Sequence, residues 1–309
     1  MTNAGVPKCT FQVDEAYGGG KSAQMDAEAK LLMACIPGLN EVYGGAEAAD
    51  IHDDVTLTIT NGNFNRVFGG NNISGTISGK ITVNVEETGC RPVIIGELYG
   101  GGNLAAYSKY GYDEDGTPKE TGENPSDDPV VNVRSFTSIG AVYGGGYGTG
   151  ARMIADPTVN INESVGTPDN YPTTGDYDTN GFKGKTIKFD EGLPTEHTVT
   201  LPAHTKEKMG AIGDVFGGGN AAEVTGNTTV NIGTSEYDEM VSIATGDNVT
   251  GYYIRNNDGS YTEATGTAVE GTTYYKKVLG VDIRGNVYGG GNNAAVTGNT
   301  NVNIGKRAE

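Results

Sequence analysis

Few side chains in this 309-residue sequence stand at spacings that chemistry requires. Gly18-Gly19-Gly20-Lys21-Ser22 ends like a phosphate-binding loop, but that motif needs a glycine five positions before Gly20, where Glu15 stands. Asp176-Tyr177-Asp178-Thr179-Asn180-Gly181 opens like a calcium loop, with oxygen donors at alternate positions and a glycine for the turn. The Glu that would close an EF-hand is replaced by Ile187, so Asp176, Asp178 and Asn180 would need Asp190 from the next turn as a further ligand. Calcium is the one cofactor these residues allow; the competing account is a solvated Asn-Gly turn. No calcium column is expected along the rest of the chain, because the GGxGxD nonapeptide is absent.

Catalytic groups do not converge. His52, His197 and His204 lack metal-ligand spacing, no GxSxG occurs, and no cysteine has an evident histidine partner. Asp53-Asp54, Asp127-Asp128 and Asp190-Glu191 could supply paired carboxylates, but they sit at turns, where such pairs are usually solvated. The reading is non-enzymatic, with no catalytic residue assigned. Of the three cysteines, Cys9 and Cys35 could bridge and leave Cys90 free; three small buried side chains is the plainer reading.

The elements that must carry these residues come from repetition. An aromatic followed by glycines recurs at Tyr17, Tyr43, Phe68, Tyr99, Tyr143, Phe216 and Tyr288. Gly213–Gly233 and Gly285–Gly305 agree at 16 of 21 positions, as GxVxGGGNxAxVTGNTxVNIG. Both runs of the unit alternate with a period of two, so each is a short strand. Val159 and Ile161 share one face of their run, Thr158 and Asn160 the other. A unit this small cannot bury its apolar face alone; stacked on a copy about 4.8 Å away, it can. The expected fold is all-β: a parallel β-solenoid of about six to seven coils with loop and hairpin insertions. A helix is expected over Ser22–Cys35, where Met25, Ala29, Leu32 and Met33 share one side, capping the first coil.

The expected organisation is a first coil with its helical cap over residues 1–40, then coils with a loop insertion over 41–161. An insertion follows at 162–210, a coil at 211–233, a hairpin-rich insertion at 234–282 and a final coil at 283–309. The 50 glycines fit sharp corners between sheets. If Val42, Val67, Leu98, Val142, Val215 and Val287 point inward, then Tyr43, Phe68, Tyr99, Tyr143, Phe216 and Tyr288 turn outward as a ladder able to stack on sugars. Rings stacked inside the core are the other arrangement, and Phe in place of Tyr at two positions favours it.

VYGGGN and TGNTxVNIG resemble the repeats of adhesin-like bacterial β-solenoid surface proteins, including autotransporter passengers and filamentous haemagglutinin-type stalks. The likeness covers just over half of the chain. It implies an extracellular or cell-surface segment of a longer secreted protein, binding a host or microbial glycan or protein, or itself through its ends. A carbohydrate-active β-helix (glycan-binding, lyase or hydrolase) and a filament-forming structural protein are the alternatives. No signal peptide is visible, and the stop directly after a full repeat suggests an excised piece. The formal charge of -18 argues against nucleic-acid partners, and no apolar run is long enough for a membrane span.

Overall fold

The computed structural model describes residues 13–89, 91–164, 172–205, 209–240 and 243–305. The two runs of each repeat sort into two large parallel sheets. One has eight strands: Glu15–Tyr17, Gly38–Tyr43, Gly62–Phe68, Val93–Tyr99, Ser138–Tyr143, Ala211–Phe216, and the short Asp282–Ile283 and Val287–Tyr288, both paired to Ala211–Phe216. The other has seven: Ala29–Met33, Val55–Ile59, Ile81–Glu86, Val130–Ser135, Thr158–Ile161, Thr228–Ile232 and Thr300–Ile304. Within each sheet the large-sheet strands pair in chain order. The chain visits the two sheets alternately. A small parallel sheet joins Tyr107–Ser108, Met153–Ile154 and Val224–Thr225.

Register follows the repeated text residue for residue. Leu57, Val83, Val131, Val159, Val230 and Val302 lie in one column, and Val42, Val67, Leu98, Val142, Val215 and Val287 in another. Apart from Val302, which is exposed, both columns feed one continuous apolar core. A side chain of this size fully buried there contributes roughly 1.5–3 kcal/mol, so the core is the main source of stability. The glycine after each ring is required by close approach. A Cβ on Gly44, Gly69, Gly100, Gly144 or Gly217 would press against the carbonyl oxygen of the glycine one level on. These glycines do not have positive φ, so it is proximity and not a left-handed corner that selects them.

The expected fold is corrected in both of its parts. The described residues contain no helix: within Ser22–Cys35, Ala29–Met33 is a strand. Its residues pair with Val55–Ile59 in parallel, burying Ala29 and Met33 and leaving Lys30 and Leu32 exposed. Ladder bonds to a remote partner outweigh the helical preference of Ala, Lys and Leu, which is only a few tenths of a kcal/mol per residue, ~0.5. In place of the solenoid with a helical cap, the strands are distributed over six sheets, the two large parallel ones and four small ones. Much of the insertions forms antiparallel sheets of its own. Tyr177–Asp178, Gly181–Phe182 and His204–Thr205 make one, the hairpin Lys185–Phe189 with His197–Leu201 a second, and four strands between Tyr237 and Lys277 a third. No helix among the described residues is long and apolar enough to cross a membrane.

Candidate functional site

Because Val42, Val67, Leu98, Val142, Val215 and Val287 face the core, the next residue in each strand faces the other side of the eight-stranded sheet. Tyr17, Tyr43, Phe68, Tyr99, Tyr143, Phe216 and Tyr288 form one continuous stack there, with centroids 4.7–5.0 Å apart and planes within 12°. The stack is its own apolar cluster, apart from the main core. Tyr43, Phe68, Tyr99, Tyr143 and Phe216 are buried, so they do not form an exposed sugar-stacking ladder; of the six candidate rings only Tyr288 is exposed, at 45%. The segments after the glycines fold back over the rings. Asn72 Nδ2 donates to the Tyr17 hydroxyl at 2.8 Å, Asn220 Nδ2 to that of Tyr99 at 3.2 Å, and Tyr147 leans on Tyr99.

Two positions before each ring stands a second outward column, Glu41, Arg66, Glu97, Ala141 and Asp214. Arg66 is its centre and is 6% exposed. Its Nε donates to Glu97 Oε2 at 3.0 Å, and Nη1 and Nη2 donate to the two oxygens of Asp190 at 3.1 Å. The guanidinium lies between the Tyr147 and Phe189 rings, 4.6 and 4.5 Å from their centroids. His197 Nε2 lies 2.7 Å from the second oxygen of Glu97, and the Tyr147 hydroxyl donates to Asp190. Phe189, Asp190 and His197 all belong to the first large insertion, so this ion network clasps its hairpin to the sheet. Burial raises the Asp190 carboxyl, but the Arg66 and Tyr147 donors outweigh it and hold the group below the usual range. The bond to Glu97 raises His197 above its ordinary value, against partial burial.

The hairpin can approach this closely because Gly96, Gly140 and Gly213 stand in successive strands beneath it. A Cβ on Gly96 would meet the Phe189 ring, and one on Gly140 would collide with Val199. The clasp escaped the sequence reading, since Arg66 and Asp190 are 124 residues apart. The aligned IGEL, IGAV and IGDV were the available signal: glycine at one register of three neighbouring strands marks a face that another backbone covers.

Beyond the hairpin the stack opens into a cleft of about 980 Å³. Tyr143, Phe216 and Tyr288 form its aromatic side, while Thr198 and Thr200 of the hairpin, with Asp214 and Arg284, supply polar groups. An accessible ring bordered by hydroxyl, carboxylate and guanidinium groups suits a ligand with apolar C–H faces and hydroxyl edges.

The calcium ligands expected from sequence do not assemble. Asp178 Oδ1 accepts the Asn180 N–H at 2.7 Å within its own turn, Asp176 pairs with Lys185 at 3.5 Å, and Asp190 belongs to the Arg66 clasp. The described residues contain no cluster of three or more His, Cys, Asp or Glu placed for a metal. The histidines stay apart: His52 pairs with Asp26, and His204 is buried in the insertion. Cys35 is disulfide-bonded, which corrects the plainer reading of three small buried side chains; Cys9 and Cys90 lie outside the described residues. No family model, curated protein or solved structure matches this chain.

Proposed function

We propose that the protein is a non-enzymatic, adhesin-like binding scaffold that works outside the cell and takes a glycan in the cleft beside Tyr288. The observation that carries this reading is the cleft itself, where the buried rings Tyr43 to Phe216 lead to the exposed Tyr288 facing the polar hairpin. A sugar would stack on Tyr288 and hydrogen-bond to Asp214, Arg284 and the threonines. The two parallel sheets hold that constellation rigidly, and the insertions set its walls. Support for the compartment comes from the Cys35 disulfide, which persists in oxidising surroundings.

A glycan array with the wild type and Tyr288→Ala tests the reading. Tyr288 is outside the core, so the variant should melt with the wild type, while binding of the captured glycans should fall about tenfold, the worth of one aromatic contact of about 1.4 kcal/mol. Array signals unaltered by the substitution would remove the cleft as the binding site.

A further inference from the structure

A second cavity, of about 330 Å³, lies where the second large insertion leaves the seven-stranded sheet. Its floor is Asn160, Asn162 and Asn231, on the side of that sheet turned away from the core. Its walls come from the insertion: Tyr237, Asp238 and Glu239 of one strand, and Tyr275 of the next, which pairs opposite Glu239. Arg134 fastens this wall to the sheet. Its Nε donates to Asp238 Oδ2 at 2.7 Å and its Nη2 to the Glu239 carbonyl at 3.4 Å.

Asn162 marks the cavity as more than a packing gap. It stands one residue beyond the column Val133, Ile161 and Ile232, so Arg134 and Gly233 hold its register on the levels before and after. A Cβ on Gly233 would meet nothing within 4 Å, so the space beside Asn162 stays open. Asn162 is only 7% exposed, and its Oδ1 has no partner among the described residues. Asn160 and Asn231, by contrast, are bonded to each other at 2.9 Å. A buried polar atom left without a partner destabilises the free protein, and water or a ligand ordinarily completes it.

We propose that this cavity binds a ligand through a protonated amine. Asp238 and Glu239 bring two carboxylates to the lining, and no lysine or arginine lines it. Arg134 takes up Asp238 Oδ2 and leaves Oδ1. An ammonium has three donors and no acceptor, which matches Asp238 Oδ1, the Glu239 carboxylate and the Asn162 carbonyl. A half-turn of the Asn162 amide exchanges Oδ1 and Nδ2 with little change of shape, so the acceptor can be offered to the cavity. The Tyr237 and Tyr275 rings add a cation–π attraction. An anion would meet the two carboxylates at close range, and the net charge of -18 draws cations to the whole surface. The cavity lies on a different sheet from the cleft beside Tyr288 and does not rest on the glycan reading.

Calorimetric titration of the full chain tests this with spermidine, glucosamine and Nα-acetyl-lysine methylamide. They stand for a free polyamine, an amino sugar and a lysine side chain, and each is paired with its uncharged N-acetylated form. Salt of about 0.15 M screens the general attraction of an acidic chain. At least one amine should bind, one per chain, and the tightest of the three names the source. Its acetylated form should bind at least about tenfold more weakly. Glu239→Gln and Asn162→Ala should each weaken the amine about tenfold. Both should melt with the wild type, since neither side chain holds a partner in the free protein. Tyr288→Ala should leave this titration unchanged, so the cavity and the glycan cleft succeed or fail separately. Wild type giving no heat with any amine up to about 10 mM would overturn the proposal. Equal affinity for the acetylated forms would overturn it too, as would binding unchanged in Asn162→Ala/Glu239→Gln.

Discussion

On the eight-stranded sheet the side chains opposite the core are rings and ion pairs that are themselves buried; on the seven-stranded sheet they are threonines and asparagines that stay half-buried. Both faces arise from the same alternation, yet they are stabilised differently. The ring face is sealed by the hairpin Lys185–Leu201 and by the segments after the glycines, so its polar groups need full pairing, and Arg66 receives it from Glu97 and Asp190. The asparagine face remains hydrated and is tied by side-chain bonds running from level to level. Asn132 donates to Asn84, Asn160 to Asn132, Asn231 to Asn160 and Asn303 to Asn231, at 2.8–3.0 Å. What an outward position tolerates is therefore decided by the cover laid over it. The second large insertion also touches the asparagine sheet, but at its margin, through Arg134–Asp238 and Lys276–Glu86.

The comparison makes its largest prediction at the middle of the ring stack. Tyr99 is fully buried and stacks on Phe68 and Tyr143, 4.9 and 4.7 Å away. Tyr99→Ala should cost about 4 kcal/mol in chemical denaturation, the usual price of truncating a buried aromatic. A loss below about 1 kcal/mol would mean that the ring face is a surface after all.

Next comes the clasp. Arg66→Met keeps the length and apolar bulk between Tyr147 and Phe189 but leaves Asp190 without its cation and Glu97 with His197 alone. About 3 kcal/mol should be lost, since one member of a buried ion network is removed. The hairpin should also open more readily, which hydrogen exchange at the Lys185–Leu201 amides would report. Full protection there would show that Val199 and Phe189 hold the hairpin without the charges.

How much of this was legible depends on whether the partners are repeated text. Tyr143 over Phe216, or Asn160 over Asn231, can be paired from the sequence, because a parallel register puts like on like and the repeats say which residues are alike. Ala29–Met33 escaped that logic. Its run lacks the TVNI text, so its local preference for helix had no visible competitor until Val55–Ile59 lay beside it. Asp190 was assigned to a calcium turn because it is near Asp178 in the chain. Its actual partner, Arg66, is brought to it by a hairpin folding back across three strands, which no local spacing encodes.

The smallest expected effect lies on the asparagine face and is the sharpest test of the contrast. Asn160 donates to Asn132 at 3.0 Å and accepts from Asn231 at 2.9 Å, so Asn160→Thr breaks two ladder bonds at once. Thr58 occupies the equivalent register two levels before Asn132, so the sheet accepts threonine at this position. The released amide groups are half-buried and can turn to water, and threonine suits a strand better than asparagine. Each net side-chain bond is worth about 1 kcal/mol or less, and strand preference returns part of that, so the loss should be about 1 kcal/mol. A double-mutant cycle of Asn160→Thr with Asn231→Thr should give a coupling near 0.5 kcal/mol, the size expected of a hydrated pair. A coupling above about 2 kcal/mol would place the ladder in the same class as the buried Arg66 network, and the distinction between a sealed and a hydrated face would then fail.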